Sequence, residues 1–196
     1  MPIKGISSID KIALASLSGS GMIGIPGISA RLFGALSRAK VNVILITQAS
    51  SEHSISFAIS PEDITIAVDA VQEEFAFEIQ TGKINSPRVE TGLSVIALVG
   101  EKMSGQVNVS GKMFNTLGSN GVNMRAIAQG SSERNISAVI EEKDVKKALN
   151  VLHENHFEGS NKVLNLFVVG VGNVGGTLVD QIKQQQKVLQ ENSNIV

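Results

Sequence analysis

The stretch NVILITQASSEHSISFAI, residues 42–59, returns 81 residues later as NMRAIAQGSSERNISAVI. Extended in the same register, residues 12–59 and 93–140 agree at 17 of 48 positions, where ordinary composition would give about three. The shared set includes Gly19/Gly100, Met22/Met103, Gly24/Gly105, Phe33/Phe114, Asn42/Asn123, Gln48/Gln129 and the runs Ser50-Ser51-Glu52 and Ser131-Ser132-Glu133. A repeat of this length means two similar modules, whatever else the chain carries.

Each copy reads alike. An apolar run bounded by glycine, Ile12–Leu17 or Leu93–Val99, predicts a buried strand. A glycine-rich loop follows, residues 19–27 in the first copy and 100–108 in the second. Ile28, Leu32, Leu36 and Ala39 then recur at helical spacing, matched by Val109, Met113, Leu117 and Asn120. VNVILIT and VNMRAIA read as second strands, and Ser54–Ile59 and Asn135–Ile140 as third strands. Ser60-Pro61-Glu62-Asp63 is a helix start, leading into the stripe Ile64, Val68, Val71 and Phe75. Its counterpart, residues 141–153, carries Val145, Leu149 and Leu152, and Phe75–Ile79 is the expected fourth strand of the first copy. The order βαββαβ is a ferredoxin-like, α+β arrangement. Expected boundaries are 1–80 for the first module, 81–92 for a connector with two glycines and a proline, and 93–160 for the second module. Residues 161–196 form a separate tail.

Composition removes several function classes. A net charge of −1 leaves no cationic excess for nucleic acid, and the absence of Tyr and Trp argues against aromatic stacking platforms. No cysteine means no thiolate chemistry and no Cys-based zinc site. The three histidines do not repeat between the copies, His53 being replaced by Arg134, so neither a metal site nor a shared catalytic centre is expected. The apolar runs fall far short of the roughly 18 residues that span a bilayer, and the opening MPIKGISSID has no apolar signal core. A cytoplasmic location without membrane contact is the expectation.

The remaining candidates use backbone and small polar groups. Glycines before a helix N-terminus present N–H donors that suit the carboxylate of a free amino acid, or they simply make a tight turn. Gln48 and Gln129 end apolar strands, where an amide could read an ammonium or hydroxyl group, or bond neighbouring backbone. Ser50-Ser51-Glu52 reads as a turn with local hydroxyl bonds rather than a catalytic serine. Asn42 and Gln48 lie six residues apart, about 20 Å along a strand, too far for one small ligand. Antiparallel pairing of the two second strands would bring Gln48 near Asn123 and Asn42 near Gln129. The expected effector site therefore comprises Gly24, Ile25, Gln48, Asn123 and Met124, with Gln129 and Asn42 paired in the counterpart site.

The duplicated pairing of a glycine-rich loop with LITQASSEHSIS and AIAQGSSERNIS resembles the tandem ACT regulatory domains of aspartate kinases. The likeness covers roughly residues 5–165, with one departure: Asn108 stands where the first copy has Gly27. In the tail, an expected strand Val163–Val169 leads into Gly170-x-Gly172-x-x-Gly175 and a helix carrying Leu178, Ile182 and Leu189, the opening of a dinucleotide-binding fold. The ribose-binding acid lies about 20 residues further on in such folds, so no complete NAD(P) site is expected in 161–196. The order of an ACT pair and a Rossmann start is similar to bifunctional aspartate kinase–homoserine dehydrogenases. That resemblance implies an effector-binding region without catalysis of its own, a free amino acid as ligand with threonine favoured over lysine, and homodimers or higher homo-oligomers formed through ACT sheets. It implies NAD(P) and ATP with Mg for the parent enzyme, and no cofactor for the region itself. Two other readings stay open: a dinucleotide-dependent oxidoreductase, and an ACT scaffold that has lost its effector.

Overall fold

The computed structural model describes residues 3–101, 103, 105–130, 134–157, 166–170 and 172–193. Residues 1–152 form one compact unit and 153–196 a second.

Two long strands organise the first unit. β1 (Ile3–Ser18) and β4 (Arg88–Gly100) run antiparallel at the centre of a six-stranded sheet. With β2 (Leu45–Gln48), β3 (Ser54–Ile59), β5 (Met124–Gln129) and β6 (Asn135–Glu141), the order is β2-β3-β1-β4-β6-β5. Each long strand serves both modules. The second half of β1 pairs with β3 through Ala13–Ser18, while its first half lies along Val95–Gly100 of β4. Conversely, Leu93–Val99 of β4 pairs with β6, while Arg88–Glu90 lies along Leu14–Ser16. Every module therefore has the ferredoxin-like order 2-3-1-4, with its fourth strand lent by the long strand of the other.

The two crossings fall at equivalent places. The β1–β4 register shifts between Ile9 and Ile12, and Lys11 and Gly92, an exact repeat interval apart, both have positive φ (58° and 71°). A bulge there bends a strand and resets its register, which lets one strand serve two modules.

This exchange corrects the expected fourth strand. Phe75–Ile79 is helical: α2 (Ile64–Glu74) is followed by the short α3 (Ala76–Gln80). In a strand, Phe75, Phe77 and Ile79 would share one face. The helical turn instead buries Phe75 completely and leaves Phe77 68% exposed. The edge position that 75–79 would have filled is taken by Arg88–Glu90. The connector 81–92 accordingly ends early, since Arg88–Gly92 belong to β4. The first strand is longer than its apolar run, because Ile3–Ile9 is half-exposed and carries little hydrophobic signal.

Helices α1 (Ile28–Arg38), α2, α4 (Val109–Ser119) and α5 (Val145–His156) follow the expected periodicity. In the first module, Leu17, Leu32, Leu36, Phe57, Val71 and Phe75 form the core beneath α1 and α2. The alternate residues of the same strands, Ile12, Leu14 and Ala58, join Leu93, Val95 and Val139 in a second cluster. This period-2 split gives the sheet an apolar second side shared by both modules.

In the second unit, α6 (Asn173–Ser193) forms as expected. The predicted strand Val163–Val169 is partly outside the described residues, and residues 166–170 are not a strand. Phe167 and Val169 are 91% and 99% exposed. The first strand of a Rossmann fold is buried within a parallel sheet, and none of the strand pairings among the described residues involves 166–170.

Candidate functional site

The first glycine loop contains two kinds of glycine. Gly19 and Gly21 are close-approach residues. A Cβ on Gly19 would collide with the Lys83 carbonyl oxygen and lie 2.6 Å from the Ile84 Cα, and one on Gly21 would sit 2.7 Å from the Lys83 Cβ. Backbone bonds seal this contact, from Gly21 N to Lys83 O (2.8 Å) and from Asn85 N to Ser18 O (2.7 Å). Gly24 and Gly27 instead have φ of 66° and 89°, with open space where a Cβ would be. Their backbone is left-handed, which glycine adopts without penalty.

Gly27 is the N-cap of α1 and offers no side chain to the helix start. The first intrahelical bond is Arg31 N to Gly27 O at 2.9 Å. The first-turn N–H groups ahead of it have no partner within the helix. They face a pocket of about 460 Å³ lined by Gly24, Ile25, Pro26 and the first turn of α1 on one side, and by Gln48, Glu52 and Ile55 on the other. A carboxylate is the natural complement of such a helix start.

Glu52 is the residue that sequence reasoning missed. It has φ 54°, and its carboxylate accepts the Gly24 N–H at 2.9 Å. The duplicated Ser-Ser-Glu run was the available signal; its reading as a local turn did not anticipate a bond across 28 residues.

Residues 105 and 108 of the second loop match residues 24 and 27 in backbone conformation. Gly105 has φ 74° and Asn108 φ 69°, and Asn108 caps α4 as Gly27 caps α1. Asparagine tolerates this conformation better than most residues, so the departure from glycine changes the side chain and not the turn. The Asn108 Oδ1 lies 2.6 Å from where a Cβ on Gly111 would be, so a larger residue there would turn that side chain aside.

Gly24, Ile25 and Gln48 thus come together. Gln48 and Gln129 also line a second hollow, about 690 Å³, where the ends of β2 and β5 approach one another. There the Thr47 Oγ1 donates to the Ile127 carbonyl oxygen at 2.9 Å. Asn123 and Met124 line neither space, and Asn42 and Asn123 are exposed.

An ionic clamp holds α1 in place. The Arg31 side chain bonds Glu78 Oε1 (2.6 Å), Glu74 Oε1 (3.0 Å) and the Glu74 carbonyl (2.8 Å), and its guanidinium lies 4.5 Å from the Phe75 ring centre. Glu78, and then Glu74, hold the Arg31 pKa above its ordinary value, and Arg31 holds both carboxyls below theirs.

In the tail, a Cβ on Gly175 would collide with the Gly170 carbonyl oxygen, whereas Gly172 faces open space. Gly170 has φ 91°. Among the described residues no helix is long and apolar enough to cross a membrane, and no three His, Cys, Asp or Glu cluster as metal ligands.

The model of the ACT domain matches this chain twice, at residues 16–75 and 96–156. The chain belongs to the ACT domain family. Its ACT pair and tail together are similar to the bifunctional aspartokinase/homoserine dehydrogenase 2 of Arabidopsis thaliana, 39% identical across 99% of this chain and 21% of that protein. The corresponding Haemophilus influenzae enzyme is 39% identical over 96% of this chain and 23% of its own. The chain thus spans about a fifth of the length of these curated relatives. Among solved structures, the regulatory subunit of aspartate kinase from Thermus flavus superimposes with a TM-score of 0.69 at 23% identity, covering 79% of this chain and 99% of that one. Escherichia coli aspartokinase III in complex with lysine and aspartate gives 0.61 at 26%, covering 80% and 33%.

Proposed function

We propose that this ACT pair is the amino-acid-sensing region of a bifunctional aspartokinase/homoserine dehydrogenase and that its effector is threonine. The observation that carries the reading is the uncapped, glycine-framed start of α1, facing Gln48 and Glu52 across a pocket of about 460 Å³. The ligand carboxylate would take the first-turn N–H groups, while Gln48 and Glu52 would meet its ammonium and hydroxyl. The names of the relatives support the enzyme class, and the lysine in the aspartokinase III complex supports an amino acid as the ligand class. Threonine is chosen over lysine because the relatives are bifunctional.

On this reading the region itself catalyses nothing. Aspartokinase chemistry with ATP and Mg, and hydride transfer with NAD(P), belong to the rest of the parent. There the Gly170, Gly172 and Gly175 turn would receive a dinucleotide pyrophosphate, whose binding brings the nicotinamide that accepts or donates hydride. A homodimer assembled through the ACT sheets is part of the proposal; it would replace or extend the contact that β2 and β5 make with each other within the chain.

Calorimetry tests the assignment. Threonine should bind with a saturable heat and lysine much more weakly. Gln48→Ala should weaken threonine binding by about 1.5–3 kcal/mol, the range for a hydrogen bond to a charged group, while leaving the melting temperature unchanged. No threonine heat from folded protein would leave a scaffold without an effector.

A further inference from the structure

Two segments wall the first loop pocket, and one side chain ties them together at its exposed rim. The glycine loop and the start of α1 form one wall; the end of β2, the turn behind it and Ile55 form the other. That turn, residues 49–53, is fastened at two points. At its base the Gly19 N–H donates to the His53 carbonyl oxygen at 3.0 Å. At its tip the Glu52 carboxylate accepts the Gly24 N–H at 2.9 Å. The first fastening joins backbone groups beside buried Gly19. The second is exposed, so water competes for it and it opens readily.

Glu52 is held in an uncommon conformation, with a φ of 54° that few residues other than glycine, asparagine and aspartate adopt. Such a backbone persists where the surroundings over-determine it, and the bond to Gly24 is part of those surroundings. Among the described residues that line the pocket, Glu52 is the one with a charged side chain; no lysine or arginine offsets it there. A bare carboxylate entering the pocket meets that negative charge and finds the Gly24 donor already taken. A zwitterion meets neither obstacle. Its ammonium draws Glu52 away from Gly24, and its carboxylate takes the freed donor beside the start of α1.

We propose that Glu52 is the specificity-determining residue of this pocket, a latch on the glycine loop that only a ligand bearing an ammonium group releases. Gln48 is then left to read the ligand's side chain. The proposal rests on the amino-acid-sensing reading above and deepens it by making a free ammonium the condition of entry.

The amide resonances of Gly24 and of residues 28–30 report this pocket separately from the second module, and titrations of the whole chain followed there test the latch. The probes are L-threonine and (R)-β-hydroxybutyrate, which is threonine without its amino group. Wild type prefers threonine by at least about 100-fold, because the lost charged hydrogen bond and the standing charge of Glu52 each cost about tenfold. Glu52→Gln keeps the size and the acceptor but not the charge. It binds threonine about tenfold more weakly and β-hydroxybutyrate about tenfold more tightly than wild type does, so the preference collapses. Glu52→Ala collapses it too and, without ligand, speeds exchange of the Gly24 amide. Both variants keep the wild-type melting temperature, since the bond is exposed. A preference that survives in Glu52→Gln, or wild type that binds both probes alike, overturns the latch. So does a Gly24 amide that exchanges as slowly in Glu52→Ala as in wild type. Folded wild type in which threonine shifts none of these resonances overturns the effector reading itself, and the latch with it.

Discussion

Replacing Gly19 by alanine distinguishes close packing from ligand cradling within a single loop. The added Cβ meets the Lys83 carbonyl oxygen and, at 2.6 Å, the Ile84 Cα. Both are backbone atoms, so no rotamer change relieves the overlap. Ile84 is fully buried in the first-module core, and the Gly21–Lys83 and Asn85–Ser18 bonds pin the segment from either side. Relief requires that segment to move, at an overpacking cost of about 1–3 kcal/mol. Weakening the two backbone bonds adds about 0.5–1.5 kcal/mol each. A loss of about 2–6 kcal/mol follows, which for about 150 residues lowers the melting temperature by about 6–18 °C. Gly27→Ala meets no atom; only its positive φ of 89° is strained, at about 1–2 kcal/mol. Thermal unfolding followed by circular dichroism measures both, since the chain lacks Trp and Tyr. Equal stability losses in the two variants would refute the division of the loop into packing and cradling glycines.

Arg31→Gln should cost about 1–2 kcal/mol, because it leaves the Glu74 and Glu78 carboxylates without their main partner in a half-exposed site. Both carboxyls titrate below the ordinary 4.5 in the folded state, so their contribution is present above that value and is lost as pH falls through and below it. Urea midpoints between neutral pH and pH 3 should therefore decline less steeply in Arg31→Gln than in wild type. Ser94 is fully buried with a hydroxyl that has no hydrogen-bond partner, and its repeat partner is Ala13. Ser94→Ala should be neutral or stabilising by about 1 kcal/mol, measured by denaturant unfolding. Lys40 and Gly121 are repeat partners at φ 59° and 69°. Gly121→Ala should lower stability by about 1–2 kcal/mol, whereas Lys40→Gly should raise it slightly or leave it unchanged in the same assay.

The duplication and, apart from the fourth strand of the first copy, the helix–strand order were legible in the amino-acid sequence. Repetition and hydrophobic period are local properties, readable one residue after another. Gly24 with Gly105, and Gly27 with Asn108, hold equivalent conformations because each copy must enter its helix by the same turn. The grouping of Gly24, Ile25 and Gln48 was legible for the same reason: the loop and the end of β2 adjoin in any ferredoxin-like module. Which segment supplies each fourth strand is set by long-range pairing. Ile3–Ile9 is half-exposed and finds its partner some 90 residues away in β4, so its pairing leaves no periodic trace. The apolar alternation of Phe75, Phe77 and Ile79 looked like a strand, but burying Phe75 under Arg31 favoured a helix once another segment held that edge. Glu52 reaching Gly24, and Thr47 reaching Ile127, are likewise contacts between distant segments. Such contacts depend on where the folded sheet brings its loops and edges, which no local pattern specifies.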